Sequence, residues 1–231
     1  ICQNSASSCR NSVGGYLLVN ILVKHSLMLY REDRMFAVGH LAIGYLSAKA
    51  SQKFLKTDIN LPMIFFLSLI PDVDLLIPGL VHRGMTHSII FLTLVFIPIF
   101  LYYRKTSIPY FVAITQHPLV GDFFMGRIQM LWPLTSDWYG YTIDVRSFTN
   151  ISIEWASFLL AMLVLTKTND LRLLFKSGKS NLLLIVPSGA IFVSSIIGAR
   201  AIGLSQRAPT ELLIPHLIFL TVFTFSIMKF L

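Results

Sequence analysis

Charged residues are scarce in this chain. They make up 13% of its 231 residues, whereas apolar residues make up 55%; soluble proteins usually carry about 25% charged residues. This balance excludes a disordered chain, which is rich in charge and poor in apolar side chains, and it disfavours a water-soluble enzyme. What remains is an integral membrane protein with enough residues for one bundle of several helices.

Cysteine is almost absent as well. Cys2 and Cys9 are the only two, and neither lies in a zinc-binding or redox spacing, so a disulfide-stapled fold is excluded. The chain lacks H-E-x-x-H and G-x-S-x-G, which disfavours intramembrane proteolysis. Its net charge of +8 is spread thinly between apolar runs. Because no basic stripe forms, we expect no nucleic-acid partner.

Seven apolar runs follow one another from Met35 onward. They predict an all-α fold, a polytopic integral membrane bundle with about seven membrane-embedded helices, some of them short or broken. The runs are 35–48, 61–81, 89–103, 108–125, 151–166, 182–199 and 212–228. We interpret residues 35–231 as a single membrane-embedded domain.

Residues 1–34 differ from the rest of the chain. Their apolar run, 13–23, is too short to span a bilayer, which takes about 20 residues. Residue 1 is Ile, and Met35 opens the segment whose composition matches the remainder. We therefore interpret residues 1–34 as an upstream extension or a non-native leader, with the natural start at Met35 or Met28. The alternative is the apolar core of a signal peptide.

The basic loops predict an orientation, because cytoplasmic loops of membrane proteins collect Lys and Arg. The basic stretches are 48–60, 104–105, 167–180 and Lys229. Placing all four on the cytoplasmic side gives a consistent alternation, with 126–150 and 82–86 outside. We expect a protein of the plasma or inner membrane whose site faces the non-cytoplasmic side.

Two acidic residues interrupt the second run directly after Pro71. A charged side chain at mid-bilayer costs about 2.5–3.5 kcal/mol, so Asp72 and Asp74 would together cost roughly 5–7 kcal/mol if left unpaired. Proline disfavours helix at Ile70 before it, and in the broken or extended stretch that follows, carboxylates two residues apart can face one site. Paired oxygen ligands suit a divalent cation. The alternative is a solvated turn between two short helices.

Two histidines gather just before the third run. His82 and His87 flank Arg83, and Thr86 is expected to cap the next helix, with His87 and Ser88 in its first turn. Arg83 offers a bidentate donor to a phosphate or carboxylate. The alternative is an interfacial turn with polar residues at the level of the lipid headgroups.

Further histidines lie inside the apolar runs. His117 and Asp122 are candidate ligands, or a ligand and its hydrogen-bonded support, with a buried hydrogen-bonded histidine as the alternative. His40 in the first run is, taken alone, more typical of a packed histidine than of a ligand. The expected topology brings these histidines and aspartates together at the outer face of the membrane.

Four motifs within residues 35–145 are specific when taken together. They are F-A-V-G-H-L-A-I-G at 36–44, I-P-D-V-D at 70–74, H-R-G-M-T-H-S at 82–88, and His117 with Asp122 followed by L-W-P at 131–133. They resemble the YdjM-like family of membrane-bound metal-dependent hydrolases. H-R-G-x-T-H-S combined with P-D-x-D is the most specific part of the resemblance.

The resemblance implies metal ligation by seven residues. They are His40, Asp72, Asp74, His82, His87, His117 and Asp122. It also implies phosphoester substrates, because the family is distantly similar to zinc-dependent phospholipase C and nuclease proteins. One place departs from the expected pattern of Ser-His with an Asp four residues after the His. Here Gln116 precedes His117, and Asp122 is five residues after it, so a plain helical i, i+4 pair is not available.

The leading hypothesis is a metal-dependent hydrolase of a phosphoester, with a membrane lipid or lipid-linked molecule as substrate. The expected cofactor is a divalent metal ion, zinc first, with manganese or iron as alternatives. A metal-activated water would attack, Arg83 would hold the phosphate, and Asp72 would serve as general base. The alternatives are a transporter or proton relay that uses intramembrane Asp and His, and a non-catalytic membrane protein.

Overall fold

A computed structural model describes residues 35–197 and 208–231. Within these ranges every regular element is helical and no strand forms; Ile128 and Tyr139 make an isolated bridge. The all-α prediction is therefore confirmed for this part of the chain. The predicted extension 1–34 lies outside the described residues, as does the end of the run 182–199.

Nine α-helices make up the described ranges. They are α1 (Ala37–Leu55), α2 (Leu61–Leu67), α3 (Ile89–Tyr103), α4 (Ile108–Gln116), α5 (Phe123–Met125), α6 (Phe148–Lys167), α7 (Asp170–Leu174), α8 (Ile185–Phe192) and α9 (Leu213–Met228). Two 3-10 stretches, Ile70–Leu76 and Met85–His87, connect α2 to α3. A π-helical turn, His117–Asp122, connects α4 to α5.

Four helical stretches among the described residues are long and apolar enough to cross a membrane. They are Ile89–Met125, Phe148–Lys167, Lys179–Ile196 and Thr210–Met228. The expected number of about seven membrane-embedded helices is not confirmed.

The difference in number has three physical causes. The run 61–81 yields only the seven-residue α2 before Pro71 and the 3-10 stretch, and a helix of that length reaches roughly 10 Å of the ~30 Å needed. Helix α1 carries Lys49 and Lys53 in its second half. The stretch Ile89–Met125 contains two of the predicted runs, which form a hairpin.

The hairpin of α3 and α4 turns at Arg104, whose φ of 53° reverses the chain. Phe96 stacks on Phe111 across it, with ring centroids 4.2 Å apart. At the open end, His87 just before α3 and His117 just after α4 lie with their ring centroids 5.2 Å apart. Helix α4 therefore returns to the level at which α3 begins.

The bundle has two chemically different ends. At the end that we call the site end, α1 and α3 begin while α2 and α4 finish. At the opposite end, which we call the basic end, Asn60 N donates to Tyr110 Oη over 2.8 Å and joins the starts of α2 and α4. There Lys49 Nζ lies 2.6 Å from Asp170 Oδ2 at the start of α7. The basic stretches around α1, α3 and α6 therefore share this end.

Buried apolar residues fill the space between α1, α2, α6 and α9. Phe65 of α2 lies 5.7 Å from Tyr45 of α1 and 4.9 Å from Phe223 of α9, measured between ring centroids. Helix α3 differs, because Leu92 is its one buried residue and most of its second half is exposed apolar surface. Such a helix is suited to contact with lipid.

Candidate metal centre

Four side chains from three connected parts of the chain meet at the site end. They are Asp72, His87, His117 and Asp122, and one ligand atom from each lies within 4.8 Å of all the others. Asp72 comes from the 3-10 stretch after α2, and His87 from the turn before α3. His117 and Asp122 begin and end the π-helical turn after α4. We call these four residues the centre.

The ligand atoms of the centre point at one another. His87 Nε2 lies 2.9 Å from Asp122 Oδ2 and 3.6 Å from Asp72 Oδ1. His117 Nε2 lies 3.4 Å from both of these oxygens. Nevertheless the two Nε2 atoms and Asp122 Oδ2 are buried without a partner in hydrogen-bond geometry. Buried polar atoms are normally satisfied, so this convergence fits a cation ligated by all four side chains.

Neighbouring groups orient both imidazoles. His117 Nδ1 lies 2.7 Å from the carbonyl oxygen of Ser68, which can only accept, so the proton is on Nδ1 and the lone pair is on Nε2. His87 Nδ1 lies 3.3 Å from Asp74 Oδ2. Metal-binding histidines typically have their other ring nitrogen held by a carbonyl or carboxylate in this way. Ser68 was not among the predicted site residues.

The π-helical turn explains the unusual spacing of His117 and Asp122. A π turn pairs residues five apart, so the two side chains fall on one side of the helix although an α-helix would separate them. Pro118 follows His117 and has no N–H, which removes one helical hydrogen bond. The departure from the i, i+4 pattern therefore leaves the two side chains adjacent.

Asp74 lies behind His87 and belongs to a second group. One ligand atom each from Asp74, His82 and His87 lies within 4.8 Å of the others. Asp74 Oδ1 lies 3.0 Å from His82 Nδ1. Asp74 Oδ2 accepts hydrogen bonds from Arg83 N (3.0 Å) and Thr86 Oγ1 (2.7 Å). Since the carboxylate already serves these partners, it is placed to hold His87 rather than to join the centre.

The residue that caps α3 differs from the predicted one. Thr86 does not cap α3, because its side chain donates to Asp74. Ser88 is the N-cap, and its Oγ accepts from Phe91 N over 3.2 Å. His87 therefore lies before the helix, in the 3-10 turn, and its ring faces the centre.

Arg83 is tied to the centre through Asp122. Its Nη2 donates to Asp122 Oδ1 over 2.9 Å, and the side chain is almost entirely buried. Its Nε remains without a hydrogen-bond partner. Arg83 has a φ of 63°, a left-handed conformation that is uncommon outside glycine and marks constrained sites.

His40 lies beside the four-residue centre. Its ring stacks on His117, with centroids 3.6 Å apart and planes 8° from parallel, and its Nε2 is 3.8 Å from Asp122 Oδ1. Gly121 makes this possible, because a Cβ there would overlap the His40 ring. Gln116, in the place where serine was expected, donates from Nε2 to the His40 carbonyl over 3.1 Å.

Glu154 supports this arrangement from α6 and was missed in the sequence. Its fully buried carboxylate accepts hydrogen bonds from Phe36 N (2.9 Å) and Gly39 N (3.3 Å), next to His40. Both amides lie at the start of α1, where backbone N–H groups lack i−4 partners; Gly39 N also donates to Phe36 O over 3.0 Å. The signal in the sequence was a lone acidic residue in an otherwise apolar run.

The charge of the site favours a divalent cation. Three carboxylates, those of Asp72, Asp74 and Asp122, are balanced by one positive charge on Arg83. The site therefore carries two formal negative charges when the histidines are neutral. Without a metal, burial raises the pKa of Asp72, but the charge of protonated His117 and hydrogen bonds from His117 and His87 together outweigh burial and hold that pKa well below its usual range. Burial likewise raises the pKa of Asp74, and hydrogen bonding to the nearby histidines outweighs it. Both carboxyls are therefore ionised at neutral pH.

The family model of the YdjM inner membrane protein matches residues 35–202. The chain belongs to this family. Together with the four apolar helical stretches, membership makes it an integral membrane protein. The resemblance found in the motifs of the YdjM-like family is thereby confirmed. No curated protein and no solved structure matches the chain.

Proposed function

We propose that this protein is a membrane-bound, metal-dependent hydrolase of a phosphoester in a lipid or lipid-linked substrate. The observation that carries the proposal is the centre itself. Two imidazole nitrogens and two carboxylate oxygens converge within 4.8 Å, and three of the four side chains are buried. A largely buried site with this donor set is costly unless a cation occupies it.

Zinc fits the donors best. Zinc takes histidine nitrogen and carboxylate oxygen in tetrahedral sites, and manganese and iron accept the same mixture. Calcium takes oxygen ligands alone, so it is the wrong ion for a site with two imidazoles. When bound, such a cation lowers the pKa of a water molecule and polarises a phosphoryl oxygen.

The protein side chains supply the remaining tasks. Asp72 is the member of the centre with the most exposed side chain, at 29%, so it faces the open side and is placed to accept a proton from the attacking water. Arg83 fixes Asp122 through Nη2, and the remaining donors of its guanidinium group serve a phosphoryl oxygen. Asp74 acts as the orienting carboxylate of His87.

The arrangement of the two ends supports an outward-facing site. Lys and Arg mark the cytoplasmic side, and the basic stretches lie at the basic end, opposite the centre. Reporter fusions within 167–180 are therefore expected to report cytoplasm, and fusions within 126–150 the outer side. Reversed reporters would place the centre in the cytoplasm.

Hydrolysis by the purified protein tests the proposal. Detergent-solubilised, zinc-loaded protein is expected to hydrolyse bis(p-nitrophenyl) phosphate, to lose this activity on chelation and to regain it with zinc. His117→Ala is expected to abolish turnover, whereas His216→Ala retains it, because His216 is equally buried but bonds to Leu212 O, away from the centre. Zinc-loaded wild-type protein without turnover, or equal activity in both variants, would contradict a hydrolase.

A further inference from the structure

An exposed apolar segment lies between Asp74 and His82, two members of the second group of candidate ligands. Residues 76–81, L-I-P-G-L-V, follow Asp74 by one residue and end directly before His82. All six residues are exposed and none is charged. Within the segment, Leu76 and Val81 have the most exposed large apolar side chains, at 71% and 62%. We call residues 76–81 the mouth segment.

The mouth segment borders a cavity beside the second group of candidate ligands. Leu80 and Val81 line a cavity of about 220 Å³ together with Trp132 and with Asp74, the residue that holds His87. A second stretch of the chain lies against this region. Its Gln129 N donates over 2.9 Å to the carbonyl oxygen of Arg83, two residues after the segment. The cavity reaches Asp74 and none of the four residues of the centre lines it. The centre is most exposed at Asp72, four residues before the segment begins, so a substrate that reaches Asp72 comes close to these apolar side chains.

The surroundings of the mouth segment fit the boundary of a bilayer. Contiguous apolar surface is unfavourable in water, and the outward face of the nearby α3 is apolar along its length. Exposed Trp138 and Tyr141 lie at the same end, where Tyr141 N donates to Phe123 O over 2.7 Å. Tryptophan and tyrosine collect at the level of the lipid headgroups. The segment is also free of the charges that would hold it in water.

We propose that the mouth segment lies in the boundary between headgroups and acyl chains, and that a lipid phosphoester enters the centre sideways from the bilayer past it. The second half of this proposal rests on the proposed hydrolase function, whereas the first half does not. The segment buries its four large apolar side chains among the acyl chains. The phosphate of a neighbouring lipid is then at the height of Asp72 and Arg83.

The depth of the segment is measured with a nitroxide on a single cysteine. Cys2 and Cys9 are replaced by serine, and Leu76→Cys or Val81→Cys is labelled in nanodiscs of phosphatidylethanolamine and phosphatidylglycerol. Collisions with oxygen report the acyl region, and collisions with a water-soluble nickel chelate report the aqueous phase. Matched references are Leu160→Cys, half-exposed in the middle of α6, and Ser136→Cys, an exposed polar position.

Both labels on the mouth segment are expected to collide with oxygen much as the Leu160→Cys reference does, and rarely with nickel. Labels that behave like Ser136→Cys would place the segment in water and overturn the proposal. Labels shielded from both reagents would show that a protein surface covers the segment, which overturns it equally. Each result is independent of metal binding and turnover.

Lipid entry is tested by placing charge in the segment. The double variant Leu76→Asp with Val81→Asp is expected to hydrolyse a fluorogenic phospholipid in nanodiscs about tenfold more slowly, because charge is unfavourable at that depth. Hydrolysis of soluble bis(p-nitrophenyl) phosphate is expected to stay unchanged. Ser136→Asp is the control and should affect neither. Equal loss on both substrates, or no loss, would overturn lipid entry. Absence of turnover in the zinc-loaded wild type would overturn the hydrolase and lipid entry together.

Discussion

The variant Asp74→Asn distinguishes two roles for Asp74: a metal ligand, or a residue that orients the ligand His87. The amide keeps the size of the carboxylate. Its oxygen can still accept the hydrogen bonds that Arg83 N and Thr86 Oγ1 donate to Asp74 Oδ2 in the wild type, over 3.0 and 2.7 Å. What disappears is the negative charge 3.3 Å from His87 Nδ1. The local fold is therefore expected to persist. The amide oxygen still lies beside His87 Nδ1, so His87 keeps an acceptor and loses only the negative charge that holds its proton on Nδ1 and its Nε2 lone pair toward the centre.

The size of the effect follows from that role. Loss of a group that orients a metal ligand typically lowers affinity by about 10- to 100-fold, which corresponds to about 1.4–2.8 kcal/mol. His117→Ala removes a member of the centre directly, so we expect it to lower zinc affinity by more than about 100-fold. His216→Ala, a buried histidine away from the centre, is expected to leave zinc affinity unchanged.

Competition between the purified protein and a zinc-chelating dye measures these affinities. The expected order is wild type equal to His216→Ala, then Asp74→Asn, then His117→Ala. A loss in Asp74→Asn as large as in His117→Ala would show that Asp74 is itself a ligand. Wild-type affinity in Asp74→Asn would refute the orienting role.

Three further outcomes are expected. Gly121→Ala should lose about 1–3 kcal/mol of stability through overlap with the His40 ring and unfold at lower temperature. Gly189→Ala is the control and should not, because open space surrounds Gly189. Equal melting temperatures for the two variants would contradict the packing of His40. Arg83→Lys keeps the charge but not the fork geometry, so hydrolysis should fall more than zinc content, and unchanged turnover would count against a phosphate contact. Zinc at about 100 times its Kd should stabilise the metal-free protein by about 2.7 kcal/mol in thermal unfolding, and no shift would mean that the folded state does not bind it.

The convergence of the site residues could be predicted from the sequence, because ionisable residues that are unfavourable in a membrane lie near the ends of the predicted helices. Charge topology alone brought the stretches around Asp72, His87 and His117 to one side of the membrane. The structure joins them within contact distance. That they bind metal stays a prediction.

The division of the two aspartates could not be predicted. The sequence predicts that Asp72 and Asp74 face one site from a broken or extended stretch. They lie instead in a 3-10 helix, where positions two apart differ in direction by about 120°. Asp72 consequently faces the Nε2 side of His87 and Asp74 faces its Nδ1 side. Tertiary contacts decide this geometry, and no local pattern encodes it.

The π-helical turn and the support from α6 were also beyond the sequence. Apolar periodicity distinguishes α-helix from strand but carries no sign of one inserted residue, although Pro118 beside His117 is a hint. Glu154 reads as an isolated acid, and its contact with Phe36 N spans 118 positions. The number of spans was overestimated because apolar length does not reveal where α2 stops.

The metal content of the purified wild-type protein decides whether the four-residue centre binds a cation. Elemental analysis of detergent-extracted protein, expressed without added metal and washed free of loosely bound ions, is expected to show at least one transition metal per chain, zinc foremost. Asp122→Asn and His117→Ala should lower that content sharply, with membrane insertion retained. Wild-type protein that carries no metal, and that binds none when zinc, manganese or iron is supplied, would contradict the account.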